Sequence, residues 1–179
     1  MFRISRKTPA YYLTSVTHNR LPIFRTDRLK EVVCKALDEA RKSAGFMIFA
    51  YVVMPDHNHL ITDNARSTSD TLRFVNGITA KRVIDYLKEN EFESCLAKLR
   101  IQVRDREHKH SVFQHHPNAF EIYGEDKMME KVNYIHINPV RAGLVKVPDD
   151  YLYSSSRQWH GKPIENEPLI TDHKMINWR

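Results

Sequence analysis

The sequence predicts an α+β fold, an antiparallel sheet with helices packed on it. Three observations predict it. Segments rich in β-branched and aromatic residues alternate along the chain with segments of helical period. Two of the strand segments are separated only by Pro55-Asp56, a connection too short for a parallel crossover and suited to a hairpin. The order is strand, helix, strand, strand, helix, charged strand region, helix, with no internal repeat.

Residues 11–17 (YYLTSVT) read as the first strand, and 18–25, with Asn19 and Pro22, as a loop. Leu29, Val32, Val33, Ala36, Leu37 and Ala40 recur at helical spacing; Thr26 or Asp27 caps the start and Gly45 stops the end. This pattern puts Cys34 in the core. Residues 46–54 (FMIFAYVVM) read as a buried strand and 57–62 (HNHLIT) as its hairpin partner. Residues 65–70 are a polar loop, 72–87 a helix that Gly77 weakens in its middle, and 90–94 its close. Lys81 and Arg82 on that helix read as solvated. From 97 to 116 the chain is dense in charge, and 101–104 alternate like a short exposed strand. Pro117 and Asn118 make a turn. Residues 126–137 form a helix that Asn138-Pro139 should end, because the residue before proline avoids helical geometry. The tail from Pro148 carries aromatics but little periodicity.

With 179 residues, 41% of them hydrophobic, the chain is expected to be one domain over 1–179 with a real core. The apolar run at 46–54 is far shorter than the roughly 20 residues of a membrane span. Two cysteines, Cys34 and Cys95, make neither a zinc cage nor a disulfide framework. The basic start lacks a hydrophobic segment, so no export signal is read and a cytoplasmic location is expected. Lys+Arg 28 minus Asp+Glu 22 gives +6, which suits a polyanionic partner, nucleic acid ahead of membrane. A secreted disulfide scaffold, a membrane protein and a disordered tail are excluded.

His57 and His59 stand one residue apart on a strand, so both imidazoles face one side and can grip a divalent ion or a phosphate. An apolar strand precedes them, which gives the rigid support a metal site needs. A second pair, His108 and His110, has no such strand before it and reads as ordinary surface. On the helix at 126–137, Met128, Met129, Val132 and Ile135 form a stripe toward the core, with His136 on the same side as packing. Tyr134 points about 160° from the centre of that stripe, on the side of Lys127 and Glu130. Asn138, four residues on, continues the Tyr134 face.

These pieces make a mechanism. A phenol titrates near pH 10 and is a poor nucleophile on its own. A divalent cation on His57 and His59, with the Asn138 carbonyl oxygen completing the shell, would polarise a phosphodiester for attack by Tyr134. Phosphate oxygens and waters would supply the remaining ligands of Mg²⁺ or Mn²⁺. Asp63 shares the parity of the histidines and is a candidate helper, with Asp56 close in sequence. With a nucleic acid as the polyanionic partner, Arg100, Arg104, Arg106 and Lys109 would be candidates for a groove that takes its backbone, and Phe113, His115 and His116 for stacking on bases.

The blocks MPDHNHLIT and, far downstream, YIHINPVRAGLV resemble the single-tyrosine HUH transposases, most closely the REP-associated tyrosine transposases and small insertion-sequence transposases. The resemblance spans nearly the whole chain, from Tyr11 to Ser155. It implies a ferredoxin-like palm, with His57 and His59 as metal ligands, Tyr134 as nucleophile and Asn138 as third ligand. It further implies cleavage of single-stranded DNA beside a hairpin, leaving a 5′-phosphotyrosine and a free 3′-hydroxyl, and reversal to rejoin strands. Members occur as monomers and as homodimers. Arg141 lies in the second block and either contacts phosphate or braces the turn before Gly143. Asn58 stands where the family usually has a hydrophobic residue; its side chain is expected on the face opposite the ligands. No second DNA-binding domain is expected. Two other classes remain open: a protein that binds nucleic-acid hairpins without cutting, and a metal-dependent phosphoesterase that uses water.

Overall fold

The computed structural model describes residues 1–104, 107–115 and 117–178, with the backbone alone at 102–104, 107 and 108. Strand β1 (Ala10–Val16) leads into α1 (Asp27–Ala44), then β2 (Ile48–Val53) and β3 (His57–Thr62). Helices α2 (Thr68–Glu89) and α3 (Glu93–Leu99) follow, then strands β4 (Arg100–Arg104), β5 (Glu107–His110) and β6 (Asn118–Ile122), and helices α4 (Glu125–Arg141) and α5 (Ser156–Trp159). The main sheet is antiparallel in the order β2-β3-β1-β6, with α1 crossing from β1 to β2 and α2 leading from β3 toward β6. This is the expected α+β class with the strand order of a ferredoxin-like unit. Strands β4 and β5 form a separate two-stranded ribbon.

Helix α1 begins where Thr26 Oγ1 accepts from the Leu29 N–H at 3.3 Å and ends at Gly45, whose φ of 70° favours glycine. Ser67 caps α2 in the same way through the Asp70 N–H at 3.1 Å, so the helix starts inside the stretch expected to be loop. It then runs unbroken through Gly77. Helices α1 and α2 are tied by the Arg82–Glu39 ion pair at 2.7 Å. Ser15 Oγ donates to Asn76 of α2 at 2.6 Å, so that face of the sheet meets the two helices. The buried side chains Phe24, Leu37, Phe49, Tyr51, Leu60 and Ile61 fill the core. Lys81 pairs with Asp85 on the exposed face of α2, and Cys34 is buried, both as expected.

Four expectations are corrected. The turn at Pro117 and Asn118 opens a strand: β6 lies beside β1, and Phe120 stacks on Tyr12 across the pair at 4.8 Å. Helix α3 forms where only a close to α2 was expected. Helix α4 does not stop at Asn138. It continues to Arg141 because Pro139 is buried and the end is closed by a Schellman motif: Leu144 N–H to Pro139 O at 2.9 Å and Gly143 N–H to Val140 O at 3.0 Å, with Gly143 at φ 70°. Met129, assigned to the core stripe, is 37% exposed; Met128, Val132 and Ile135 are buried.

The tail is a strap over the β2 edge. Val53 N–H donates to Tyr153 O at 2.9 Å, Ser154 bridges Val52, and Asp172 accepts from Ile48 N–H at 3.0 Å while pairing with Arg41 at 2.7 Å. Among the described residues no helix is long and apolar enough to cross a membrane.

Candidate active site

His57 and His59 open β3 on the face of the sheet away from α1 and α2, with ring centroids 4.8 Å apart. Tyr134, on α4, sets its ring 5.6 Å from that of His59 and 6.4 Å from that of Tyr12, and it is 39% exposed. Three of the expected site residues therefore meet where α4 crosses β3. Asn138, half-buried, lies one turn beyond Tyr134 on the same helix face.

Each imidazole is oriented through Nδ1. His57 Nδ1 lies 2.6 Å from Asp56 Oδ1, and the other carboxylate oxygen pairs with Arg20 at 3.2 Å. The hairpin turn that carries Asp56 is itself clamped. Thr17 donates to the Asp56 carbonyl through both N–H and Oγ1 at 2.8 Å, and Phe24 N–H donates to Pro55 O at 2.9 Å. Burial would raise the Asp56 pKa, but the hydrogen bond and charge of His57, with Arg20, hold it below the usual carboxylate range. On the other imidazole, His59 Nδ1 lies 2.8 Å from Thr14 Oγ1 and 2.9 Å from Tyr12 Oη. With its proton on Nδ1, each ring leaves the Nε2 lone pair free for a cation, the arrangement that orients metal-binding histidines. Burial, then the charges of His57 and Lys131, push the His59 pKa down to about 3, so it is a neutral donor at pH 7. Burial pushes the Tyr12 phenol up, so it stays protonated.

The donor set fits a divalent cation with few protein ligands: two imidazoles held through Nδ1, with the Asn138 amide one turn from Tyr134. Among the described residues no three of His, Cys, Asp or Glu converge. Asp63 does not help. It sits about 13 Å along the strand from His59, and its carboxylate accepts from Met47 N–H at 3.1 Å.

The basic candidates divide. Arg141 joins the site, its guanidinium carbon 5.9 Å from the Tyr134 ring centroid. Arg100 is exposed at the start of β4. Lys109 lines a separate groove of about 930 Å³ between α2 and residues 109–115 and 117–119, with Arg73, Asn76, His110, His115 and Asn118. Only the backbone of Arg104 is described, in β4; Arg106 and His116 fall outside the described residues. Phe113, a stacking candidate, is instead buried against Phe24 at 5.9 Å. His136 packs as expected, buried and bonded to Ser155 Oγ at 2.9 Å.

Sequence reading missed Tyr12, Thr14 and Lys131. The first two were legible as alternate positions of one strand. Lys131 was legible as the residue three before Tyr134 on the same helix face.

Comparison with known proteins follows the same lines. Over 92% of this chain and 87% of its own, the REP-associated tyrosine transposase solved bound to a REP hairpin superposes with a TM-score of 0.64 at 19% identity. A Deinococcus radiodurans R1 protein provisionally described as a transposase superposes with a TM-score of 0.51 at 16% identity, over 72% of this chain and 88% of its own. Both show the fold. No curated protein matches the sequence. Residues 6–98, just over half of the chain and including both histidines, match the family model described as Transposase IS200 like, and the chain belongs to that family.

Proposed function

We propose that this transposase cleaves single-stranded DNA beside a hairpin through a covalent 5′-phosphotyrosine on Tyr134, and rejoins strands by the reverse reaction. The observation that carries the reading is the Tyr134 ring beside His59, with both histidines held through Nδ1. A divalent cation, Mg²⁺ or Mn²⁺, would be held by His57 and His59 with Asn138, and would supply the charge that polarises the scissile phosphodiester. The chain does the rest. Tyr134 Oη bonds to phosphorus, the bond from phosphorus to the 3′ oxygen breaks, the phenolic proton passes to water, and the departing oxygen takes up a proton as a 3′-hydroxyl. Asp56 and Thr14 keep the imidazoles in the tautomer that presents Nε2. Tyr134 is placed from a helix and the histidines from a strand, so nucleophile and electrophile are positioned by rigid elements.

The groove beside α2 supports a path for the flanking strand. Its lining has no carboxylate among the described residues and carries Arg73, Lys109, His110 and His115. One lateral row joins it to the site, since Thr14 pairs with His59 on one side and with Asn118 on the other. The hairpin on the REP-associated relative supports a hairpin as the partner.

The test is incubation with a hairpin-bearing single strand and Mg²⁺ or Mn²⁺, followed by a denaturing gel. Wild type gives a covalent protein–DNA band that chelator and Tyr134→Phe both abolish. Hairpin binding with no covalent band under either metal overturns the reading and leaves a non-cutting hairpin binder.

A further inference from the structure

Helix α4 presents more than its tyrosine to the site. Lys131, Tyr134, Asn138 and Arg141 follow one another at intervals of three, four and three residues, so the four share one helix face. The Lys131 ammonium lies 5.6 Å from the Tyr134 ring centroid, 5.7 Å from that of Tyr12 and 5.2 Å from that of Phe120. Arg141 stands over the same Tyr134 ring at 5.9 Å. At about 1.5 Å per residue, the Cα atoms of Lys131 and Arg141 sit about 4.5 Å before and about 10.5 Å beyond that of Tyr134 along the axis, and both side chains reach back to its ring. The Lys131 side chain is 20% exposed against 50% for Lys127 one turn earlier, so its stem is held rather than waving in solvent. Its salt-bridge partner is Glu130, at 3.1 Å. Glu130 is also held by Lys127 at 2.7 Å, so it keeps a partner when Lys131 turns to another anion.

The geometry points to a phosphate clamp that straddles the nucleophile: Lys131 donates to a non-bridging oxygen of the scissile phosphate, and Arg141 contacts the neighbouring phosphate of the same strand. The clamp rests on the phosphotyrosine reading above. Attack by a phenol builds negative charge on the non-bridging oxygens, and a cation already fixed by three rings meets that charge with little reorganisation. The clamp also sets direction, because the strand must run along α4 to meet both cations.

The experiment measures single-turnover formation of the covalent adduct on a hairpin-bearing strand with saturating protein and Mg²⁺. Lys131→Met keeps the stem and removes the charge; it is expected to slow the adduct about 100-fold. Lys131→Arg recovers most of that loss, and neither variant changes binding of a hairpin that lacks the single-stranded flank. Arg141→Gln weakens binding of the flanked strand about tenfold. A neutral methylphosphonate at the scissile position supplies a readout that a packing role would not move: on it, wild type and Lys131→Met react at the same rate. A Lys131→Met rate within about twofold of wild type on the natural strand overturns the clamp alone. So does a deficit that persists in full on the methylphosphonate. A wild type that forms no adduct overturns the clamp together with the reading beneath it.

Discussion

Asn58 lies between His57 and His59 in the chain yet faces the other way. It pairs laterally with Ser15, whose hydroxyl bonds Asn76 of α2, so its side chain enters the layer between sheet and helices. It is fully buried, and neither Oδ1 nor Nδ2 has a partner among the described residues. An unpaired buried amide costs about 1–3 kcal/mol in lost hydration. Asn58→Leu, which keeps the same branched skeleton but replaces the oxygen and nitrogen with bulkier methyls, is therefore expected to raise stability by up to that amount, read as a higher urea midpoint at unchanged slope. Adduct formation should hold, because the change is on the face away from Tyr134; a lowered midpoint contradicts the account. The histidines and Tyr134 were legible because periods of two and 3.6 fix which side chains share a face. Asn58 was legible by the same parity, as the family departure whose side chain turns from the ligands. Phe113 was misread, because a charged stretch disguises an aromatic that folds back onto Phe24.

At the scale of elements, α4 decides the candidate site, since it carries Tyr134, the proposed nucleophile, and the stripe around it. Residue spacing sets its faces but not its length. Proline at 139 argues for an end, and what outweighs it is a cap formed by residues beyond it, Gly143 and Leu144. That cap keeps Asn138 and Arg141 on the helix. A methyl group added at Gly143 has no heavy atom within 4 Å, so an alanine there meets no clash and only the strain of φ 70°. Gly143→Ala should cost about 1–2 kcal/mol, with Gly143→Asn milder, measured by urea unfolding. An unchanged midpoint for alanine shows that the cap does not hold the helix end. Strand β6 was illegible for a different reason. Its five residues have an exposed, weakly alternating pattern, and its pairing with β1 is a contact more than a hundred residues away in sequence. The ferredoxin-like class nevertheless demands a strand there, and the Tyr12–Phe120 stack is the local sign of it.

For the whole molecule, a net charge of +6 left the partner open, and the arrangement narrows it: cations gather beside Tyr134 and along the groove, while many carboxylates pair locally on helices. The same burial that makes neutral imidazoles available gives the fold a pH dependence. His136 is buried and bonded to Ser155; burial, then the charge of His160, push its pKa down to about 3, against the opposing pull of Asp149. His59 is held near the same value, and burial lowers His173 as well. In the unfolded chain a histidine titrates near 6.5, so between roughly pH 6.5 and 3 the unfolded state binds a proton that the folded state refuses. Stability is therefore complete above about pH 6.5 and falls as pH drops, by up to about 1.4 kcal/mol per unit for each such histidine. The carboxylates Asp38 and Asp56, held low by their partners, add their loss only below about pH 4, and Asp63, raised by burial, acts with the opposite sign, so between 6.5 and 5 the contribution of a single histidine is read from its own substitution. Thermal unfolding followed across that range should show Tm falling with pH, and His136→Gln should flatten the slope by one histidine's share whatever its effect on Tm at pH 7.5. A Tm independent of pH over this range, or a slope unchanged in His136→Gln, would mean that His136 accepts its proton in the folded state.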